Sequence, residues 1–213
     1  MALKTEAILF DADGVIQMPA RSVEAMMRDV FGHLPQDYRA LVRDIVETEK
    51  PCQWGDGEFA ARLPPVLAGW GYGAGTAQRL IRAWTTVYVS DEILSVIDAL
   101  RSHTPCWLAS NQEPSRARHM SERLGYRNVF DREFYSCDLG VAKPDPAYFA
   151  SIAESAAVAP DALVFVDDRE ENVVAARTCG LRAAVFNLRH EDAPADALRA
   201  VLGSRGVESG VNP

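Results

Sequence analysis

The sequence predicts an α/β fold in which a doubly wound, Rossmann-like parallel sheet carries an inserted α-helical domain. Two observations support this prediction. Short apolar runs alternate with helix-like segments along most of the chain, as in parallel sheets whose crossovers are helices. Between residues 17 and 90, however, only amphipathic helical patterns occur, and no run there is typical of a strand. We therefore expect a core of residues 1–16 and 91–202 with a helical insertion over residues 17–90.

Four short apolar runs are the expected strands of the sheet. The first, residues 5–10, ends abruptly at Asp11-Ala12-Asp13-Gly14, which is the pattern of a strand buried on both faces and followed by a turn. The similar runs further along the chain are residues 106–109, 162–166 and 183–186. Their alternation with helical segments places them in one parallel sheet.

Helical patterns fill the intervals between these runs. In the core, helices are expected over residues 114–124, 146–157, 171–179 and 193–202. In the insertion, four helices are expected over residues 22–31, 36–49, 56–67 and 75–87. Pro64 and Pro65 should kink or split the third of these, because proline lacks an amide donor and clashes with the preceding turn. Residues 203–213 carry little apolar surface, so we expect them to form a loose tail.

The composition excludes several classes of protein. Of the 213 residues, 48% are hydrophobic and 24% are charged, which argues against a disordered chain or a disulfide scaffold. The net charge of −8 repels nucleic acid and anionic lipid. No run approaches the ~18 apolar residues of a membrane span, and no signal-like segment precedes Asp11. We therefore expect a cytoplasmic protein that binds neither nucleic acid nor membranes.

Polar residues follow three of the expected strands at the edge where parallel sheets bind ligands. They are Asp11 and Asp13, Ser110 and Asn111, and Asp167 and Asp168. Lys143 lies between the last two pairs, in a loop that prolines fix. Four carboxylates at one edge would repel one another, so a cation is expected among them. Mg²⁺ is the simplest choice, because it prefers oxygen ligands and a substrate phosphate can complete its shell.

The spacing of Asp11 and Asp13 suggests two chemical roles. Residues two apart in an extended segment point the same way, so both carboxylates can face one substrate. An ionised aspartate can attack phosphorus and form an aspartyl phosphate, while the second carboxyl exchanges protons with the leaving group and the attacking water. Ser110 offers a hydroxyl for phosphoryl oxygens, and Lys143 supplies positive charge beside the nucleophile.

Four segments resemble, in the same order, the four motifs of the haloacid dehalogenase superfamily: Asp11-Ala12-Asp13-Gly14-Val15-Ile16, Ser110-Asn111, Lys143-Pro144-Asp145, and Asp167-Asp168 followed by Asn172. The first motif alone also occurs in calcium loops and ordinary turns, whereas four motifs in order are specific. The resemblance covers the expected core, and the insertion looks like the C1 cap of that superfamily.

The resemblance implies a role for each motif residue. Asp11 is the nucleophile, and Asp13 is the general acid/base whose backbone carbonyl binds Mg²⁺. The phosphate binders are Ser110, Asn111 and Lys143. Counted back from the following helix, Asp168 matches the metal-binding acid of the family's usual Gly-Asp-Ser form, with Asp167 in place of the glycine. Whether Asp167 also reaches the metal, and whether Asn172 contacts a metal-bound water or caps the helix, is left open.

Three residues outside the motifs are further candidates for contact with the substrate. Trp54 lies between helices of the insertion, where the family places substrate-facing residues, although packing on the cap is an equal alternative. Arg116 and Arg118 follow the second motif and could bind anions, but a solvated helix face is the favoured interpretation.

The resemblance favours a Mg²⁺-dependent phosphatase of a small phosphorylated metabolite, with sugar phosphates among the candidates. A 2-haloacid dehalogenase is disfavoured, because such enzymes lack the acid that this chain has at Asp13. A sugar phosphomutase is disfavoured because those enzymes carry a histidine about a dozen residues past the nucleophile, where this chain has Val23. A non-catalytic binding protein on this fold would have lost catalytic residues, and all are intact. Neither the substrate nor the oligomeric state can be inferred from the sequence.

Overall fold

Seven strands are present in the computed structural model, which describes residues 4–207. In chain order they are β1 (Ala7–Phe10), β2 (Gln17–Pro19), β3 (Val87–Val89), β4 (Cys106–Ser110), β5 (Arg132–Tyr135), β6 (Leu163–Asp167) and β7 (Arg182–Val185). Five of them form a parallel sheet in the order β5-β4-β1-β6-β7. The chain therefore leaves β1 to build one side of the sheet and then returns to build the other, which confirms the predicted doubly wound topology.

Strand β1 occupies the centre of the sheet and is buried on both faces. Ile8 and Phe10 enter one apolar cluster, and Ala7 and Leu9 enter a second cluster on the opposite face. Successive side chains of a strand point to opposite faces, so an apolar run without alternation is what a central strand requires. The Asp-Ala-Asp-Gly segment that follows is thereby fixed at the carboxyl edge of the sheet.

Eleven α-helices surround the sheet or form the insertion in the described part of the chain. They are α1 (Val23–Phe31), α2 (Tyr38–Glu49), α3 (Phe59–Gly69), α4 (Ala74–Thr85), α5 (Asp91–Arg101), α6 (Pro114–Arg118), α7 (Tyr126–Val129), α8 (Ser136–Leu139), α9 (Pro146–Ala156), α10 (Glu170–Thr178) and α11 (Pro194–Gly203). None of the helices within residues 4–207 has the length and apolarity needed to cross a lipid bilayer.

The expectation that no strand lies between residues 17 and 90 is wrong. Strands β2 and β3 pair antiparallel there, with Met18 opposite Tyr88. Each strand has only three residues, too few to show a periodic pattern. Strand β5 was also missed, because it lies at the edge of the sheet and its sequence Arg-Glu-Phe-Tyr is not an apolar run.

The four expected helices of the insertion are present as α1 to α4, and they pack around an apolar cluster of their own. Helix α3 is not split at Pro64 and Pro65. Leu63 and Leu67, on either side of the two prolines, are both buried in that cluster and hold the two turns in one helix.

The described part of the expected tail is not loose. Helix α11 runs to Gly203, and Val207 is buried in the apolar cluster on one face of the sheet. The amide of Val207 donates to the carbonyl of Leu202, and Arg182 Nη1 donates to the carbonyl of Arg205 over 2.7 Å. One apolar side chain and two backbone contacts therefore suffice to dock this segment. Residues 208–213 lie outside the described residues.

Candidate active site

A cavity of about 310 Å³ opens at the carboxyl edge of the sheet, beside the ends of β1 and β4. Seven of the predicted site residues line it: Asp11, Asp13, Ser110, Asn111, Lys143, Asp168 and Asn172. Asp167 is fully buried behind them. The fold therefore brings together residues that are distant in sequence, as expected for the edge of a doubly wound sheet.

The ammonium group of Lys143 lies at the centre of the site. Its Nζ is 2.9 Å from Asp11 Oδ1 and 2.7 Å from Asp167 Oδ2, and it donates to the carbonyl of Ala109 over 2.8 Å. Burial alone would lower the pKa of Lys143, but the carboxylates of Asp11 and Asp167 raise it above its ordinary value. All three N–H groups of a charged lysine are thus engaged.

The carboxyl groups around Lys143 are not fully compensated by it. Burial raises the pKa of Asp11 to about 7 against the opposing attraction of Lys143, and the neighbouring Asp167 raises it further. The pKa of Asp168 is also raised, by burial and by Asp167. A second cation at this position would relieve both effects.

The residues present fit a divalent cation. Asp11, Asp167 and Asp168 each offer a carboxylate oxygen, and these oxygens lie within 4.8 Å of one another. Asn172 Nδ2 donates to both oxygens of Asp167 over 2.9 and 3.0 Å. Its Oδ1 is buried and has no hydrogen-bond partner within residues 4–207. An unpaired buried acceptor beside three carboxylates suits a hydrated Mg²⁺, which binds oxygen ligands and keeps several waters.

Gly14 allows this close approach. It adopts φ +83°, and a Cβ added there would lie 2.3 Å from Asp168 Oδ2. The glycine of the first motif therefore makes room for the aspartate of the fourth motif.

Asn111 also makes contacts that the sequence did not predict. Its Nδ2 donates to the carbonyl of Lys143 over 2.8 Å, and its Oδ1 accepts from the amide of Lys143 over 2.9 Å. The side chain therefore positions the Lys143 loop with one N–H of its amide group, and phosphate binding by the other stays a prediction. Ser110 lines the cavity as expected, and Gln112 Nε2 donates to its Oγ over 3.1 Å.

Sequence reasoning missed the side chains that contact Asp13, which are Gln17, Gln112 and Arg116. The expectation that Arg116 is solvated is wrong, since its side chain is only 15% exposed and pairs with Asp13. Arg118, in contrast, is solvated as expected, since its side chain is 59% exposed and pairs with Glu58 of the insertion. The sequence signal was weak, because both arginines simply follow the second motif.

Trp54 lies outside the lining of the cavity and is 43% exposed, whereas Gln53 lines it. Both residues belong to the short 3₁₀ helix Lys50–Trp54. Successive side chains of a 3₁₀ helix point about 120° apart, so only one of the two faces the cavity. Substrate contact by Trp54 stays a prediction.

Arg169 and Arg189 also line the cavity and add positive charge to its wall.

Comparisons with known proteins agree with the fold. A family model described as haloacid dehalogenase-like hydrolase matches residues 5–180. A HAD family enzyme from Bacteroides thetaiotaomicron, solved with magnesium and inorganic phosphate, is 18% identical; the TM-score is 0.72, covering 88% of this chain and 96% of that one. The L-2-haloacid dehalogenase of Xanthobacter autotrophicus is 18% identical with a TM-score of 0.64, covering 96% and 84%. Identities this low establish a shared fold alone.

A sequence relative matches a shorter segment. Drimenol cyclase drtB of Aspergillus calidoustus is 36% identical over 63 residues, which make up 30% of this chain and 12% of that protein. The chain thus covers only a small part of this much longer relative.

Proposed function

Because this chain belongs to the haloacid dehalogenase-like hydrolases, we propose that it is a Mg²⁺-dependent phosphatase of a small phosphorylated metabolite. One observation carries the proposal: Asp11 and Asp13 line the same cavity as Lys143. A nucleophile, an acid/base and a cation are therefore available to one substrate. The presence of Asp13 favours phosphate esters over 2-haloacids, since the dehalogenases that the sequence resembles lack this acid.

The reaction consists of two half-reactions, and both carboxyl groups take part in each. Asp11 Oδ attacks phosphorus, an aspartyl phosphate forms, and the ester P–O bond breaks while Asp13 donates its proton to the leaving oxygen. Asp13 then takes a proton from water, and the resulting hydroxide attacks the phosphorus. Inorganic phosphate leaves, and Asp11 is regenerated.

Lys143 and Ser110 support both half-reactions. The contact of Lys143 Nζ with Asp11 Oδ1 favours the ionised nucleophile in a buried site. The same ammonium group and the hydroxyl of Ser110 can stabilise the negative charge of the phosphoryl oxygens.

Mg²⁺ would be held by Asp11, by Asp168 and by the backbone carbonyl of Asp13. When bound, it would neutralise negative charge on the phosphoryl group and on the nucleophile. Asp168 is the better candidate ligand than Asp167, because Asp167 already accepts from Lys143, Asn172 and the amide of Arg169. We assign to Asp167 the role of holding Lys143 in place.

Two further features support a small intracellular substrate. Gln53, Arg169 and Arg189 give the cavity wall hydrogen-bond donors, which suits a polar, anionic metabolite. All four cysteines of the chain are free, which fits the reducing cytoplasm.

The proposal is tested by phosphate release across a panel of sugar phosphates, phosphoglycolate and nucleoside monophosphates, with a 2-haloacid included. We expect release with Mg²⁺, none in chelator, and recovery on adding Mg²⁺ back. Asp11→Asn should lower kcat at least about a thousandfold. The matched control is Asp98→Asn, the same change at an exposed position of α5.

Halide release in the presence of chelator would instead establish a dehalogenase. Phosphate release that survives Asp11→Asn would exclude the proposed nucleophile.

A further inference from the structure

Three side chains surround the carboxylate of Asp13: one from the start of β2 and two from the segment that joins β4 to α6 and the first turn of α6. Gln17 Nε2 donates to Oδ1 over 2.9 Å, and Arg116 Nη2 donates to the same oxygen over 2.7 Å. Gln112 Nε2 donates to Oδ2 over 2.8 Å. None of the three belongs to the residues that carry the family resemblance.

The two glutamines are themselves fixed. Gln17 is fully buried, and the hydroxyl of Tyr126 donates to its Oε1 over 2.8 Å, so its Nε2 must face Asp13. Burial raises the pKa of the Tyr126 phenol well above its ordinary value, which keeps this donor protonated. Gln112 is also buried, and its Nε2 bonds both Asp13 and Ser110.

Arg116 is held equally firmly. It lies in the first turn of α6, where the carboxylate of Glu113 accepts from the amides of Ser115 and Arg116 over 2.9 and 2.7 Å. Its guanidinium therefore approaches Asp13 from an anchored backbone. A charge-assisted bond of this length is among the stronger contacts that a carboxylate can accept.

These contacts leave the two oxygens of Asp13 unequal. A carboxylate has about four acceptor positions, two on each oxygen. Oδ1 uses both of its positions, for Gln17 and Arg116, whereas Oδ2 uses one, for Gln112. Within residues 4–207 no further donor to Asp13 is present.

We propose that Arg116 is a positioning residue for Asp13, and that Oδ2 is the oxygen that carries the transferred proton. Arg116 and Gln17 occupy Oδ1, so the free position on Oδ2 is the one that can hold a proton. Proton transfer to the leaving group and from water then takes place at one atom in one orientation. This inference rests on the proposed function.

The test compares Arg116→Met, which keeps the length of the side chain and removes its charge, with Arg116→Lys, which keeps the charge. Single-turnover rates are measured on an alkyl phosphate, whose leaving group needs a proton, and on an aryl phosphate, which needs it less. Arg116→Met should slow the alkyl reaction about 30-fold and the aryl reaction about threefold, with KM changed less than about twofold. Arg116→Lys should recover most of the alkyl rate.

Arg118→Gln is the matched control. Arg118 lies two residues further along α6 and pairs with Glu58 instead of Asp13, so both rates should stay at the wild-type level. Equal losses on the two substrates, or no recovery by lysine, would overturn the inference while leaving the phosphatase proposal intact. If no release depends on Asp11, the proposed function fails and the inference fails with it.

A stability measurement tests the contact without relying on activity. Arg116→Met and Asp13→Asn are introduced singly and together, and urea unfolding of these three variants is compared with that of the wild-type protein. Arg116→Met should lower the urea midpoint more when Asp13 is present than when it is Asn, because only the charged, partly exposed partner loses an ion pair. Additive effects would overturn the assignment of Arg116 to Asp13.

Discussion

Asp167 in the core site and Glu49 in the helical insertion are both buried carboxyl groups, but their charges are compensated differently. Asp167, at the end of β6, lies 2.7 Å from the ammonium of Lys143 and accepts from the amide of Arg169 over 2.9 Å. Glu49, at the end of α2, accepts from the neutral indole N–H of Trp84 over 3.1 Å. Asp167 is therefore compensated by a contacting cation, whereas Glu49 contacts no cation within residues 4–207.

The pKa of Glu49 reflects this difference. Burial raises it to about 7; Arg116 opposes the shift from a distance, and the carboxylates of Glu113 and Asp13 add to it. A group of this kind loses its charge easily, whereas the aspartates of the core site are arranged around a fixed cation. The comparison teaches that a buried carboxyl group keeps its charge at low cost only where a cation contacts it, as at Asp167, and that a charge on Glu49 should lower stability.

Removing the cation of the core site should give the largest effect on stability. Lys143→Met leaves Asp11 and Asp167 buried without their shared cation, so we expect the free energy of unfolding to fall by about 3–5 kcal/mol and phosphate release to be lost. Urea unfolding in chelator measures the first quantity. Lys50→Met, the same change at an exposed position after α2, should leave stability unchanged. A loss below about 1 kcal/mol at Lys143 would mean that the core charges are no better compensated than Glu49.

Removing the charge of Glu49 should have a smaller effect of opposite sign. In the folded protein its pKa is about 7, against an ordinary value of 4.5. Between these values the folded state binds a proton that the unfolded state has released, so this group makes stability fall as pH rises from about 4.5 to 7. Glu49→Gln removes that dependence and should raise the free energy of unfolding at pH 8 by roughly 3 kcal/mol.

Urea unfolding across this pH range provides the measurement. Glu47→Gln, at an exposed position on the same helix, should retain the wild-type pH dependence. If Glu49→Gln destabilises the protein at pH 8, then Glu49 is charged and compensated, and the contrast with Asp167 disappears.

The core of the fold could be predicted because its signals are local. The run that forms β1 is apolar on both faces, and the turn residues follow it directly. Strands β2 and β3 could not be found in the same way, since three-residue strands have no pattern and depend on a partner far along the chain. Strand β5 is an edge strand with a charged first half, so it lacks the apolar run that is typical of a buried strand.

The same distinction between local and long-range signals applies to the candidate site. Asp11, Asp13, Lys143 and Asp168 could be predicted, because each lies in a short motif next to a strand or a fixed loop. The partnership of Arg116 with Asp13 could not, because it depends on how α6 is anchored to the core. The two bonds of Asn111 to the Lys143 backbone could not be predicted for a related reason, since they exist only in the folded chain.

The smallest effect on stability should come from two glycines with nearly the same backbone conformation. Gly14 in the core has φ +83°, and Gly71 in the insertion has φ +81°. Alanine at either position pays the left-handed strain of about 1–2 kcal/mol. A Cβ at Gly71 meets no described atom within 4 Å, whereas one at Gly14 would overlap the carboxylate of Asp168 and also lie 2.8 Å from its Cβ, so that Asp168 must shift as a whole.

Gly71→Ala should therefore lose only the strain energy, whereas Gly14→Ala should lose more free energy of unfolding, lose activity and need more Mg²⁺ for half-maximal phosphate release. Urea unfolding and a Mg²⁺ titration of activity separate the two quantities. Since Gly71→Ala carries the same backbone strain, any difference in the Mg²⁺ requirement reports the displaced Asp168 alone. A Gly14→Ala enzyme with the wild-type Mg²⁺ requirement would show that Asp168 does not bind the metal, and the core site would then need a different ligand set.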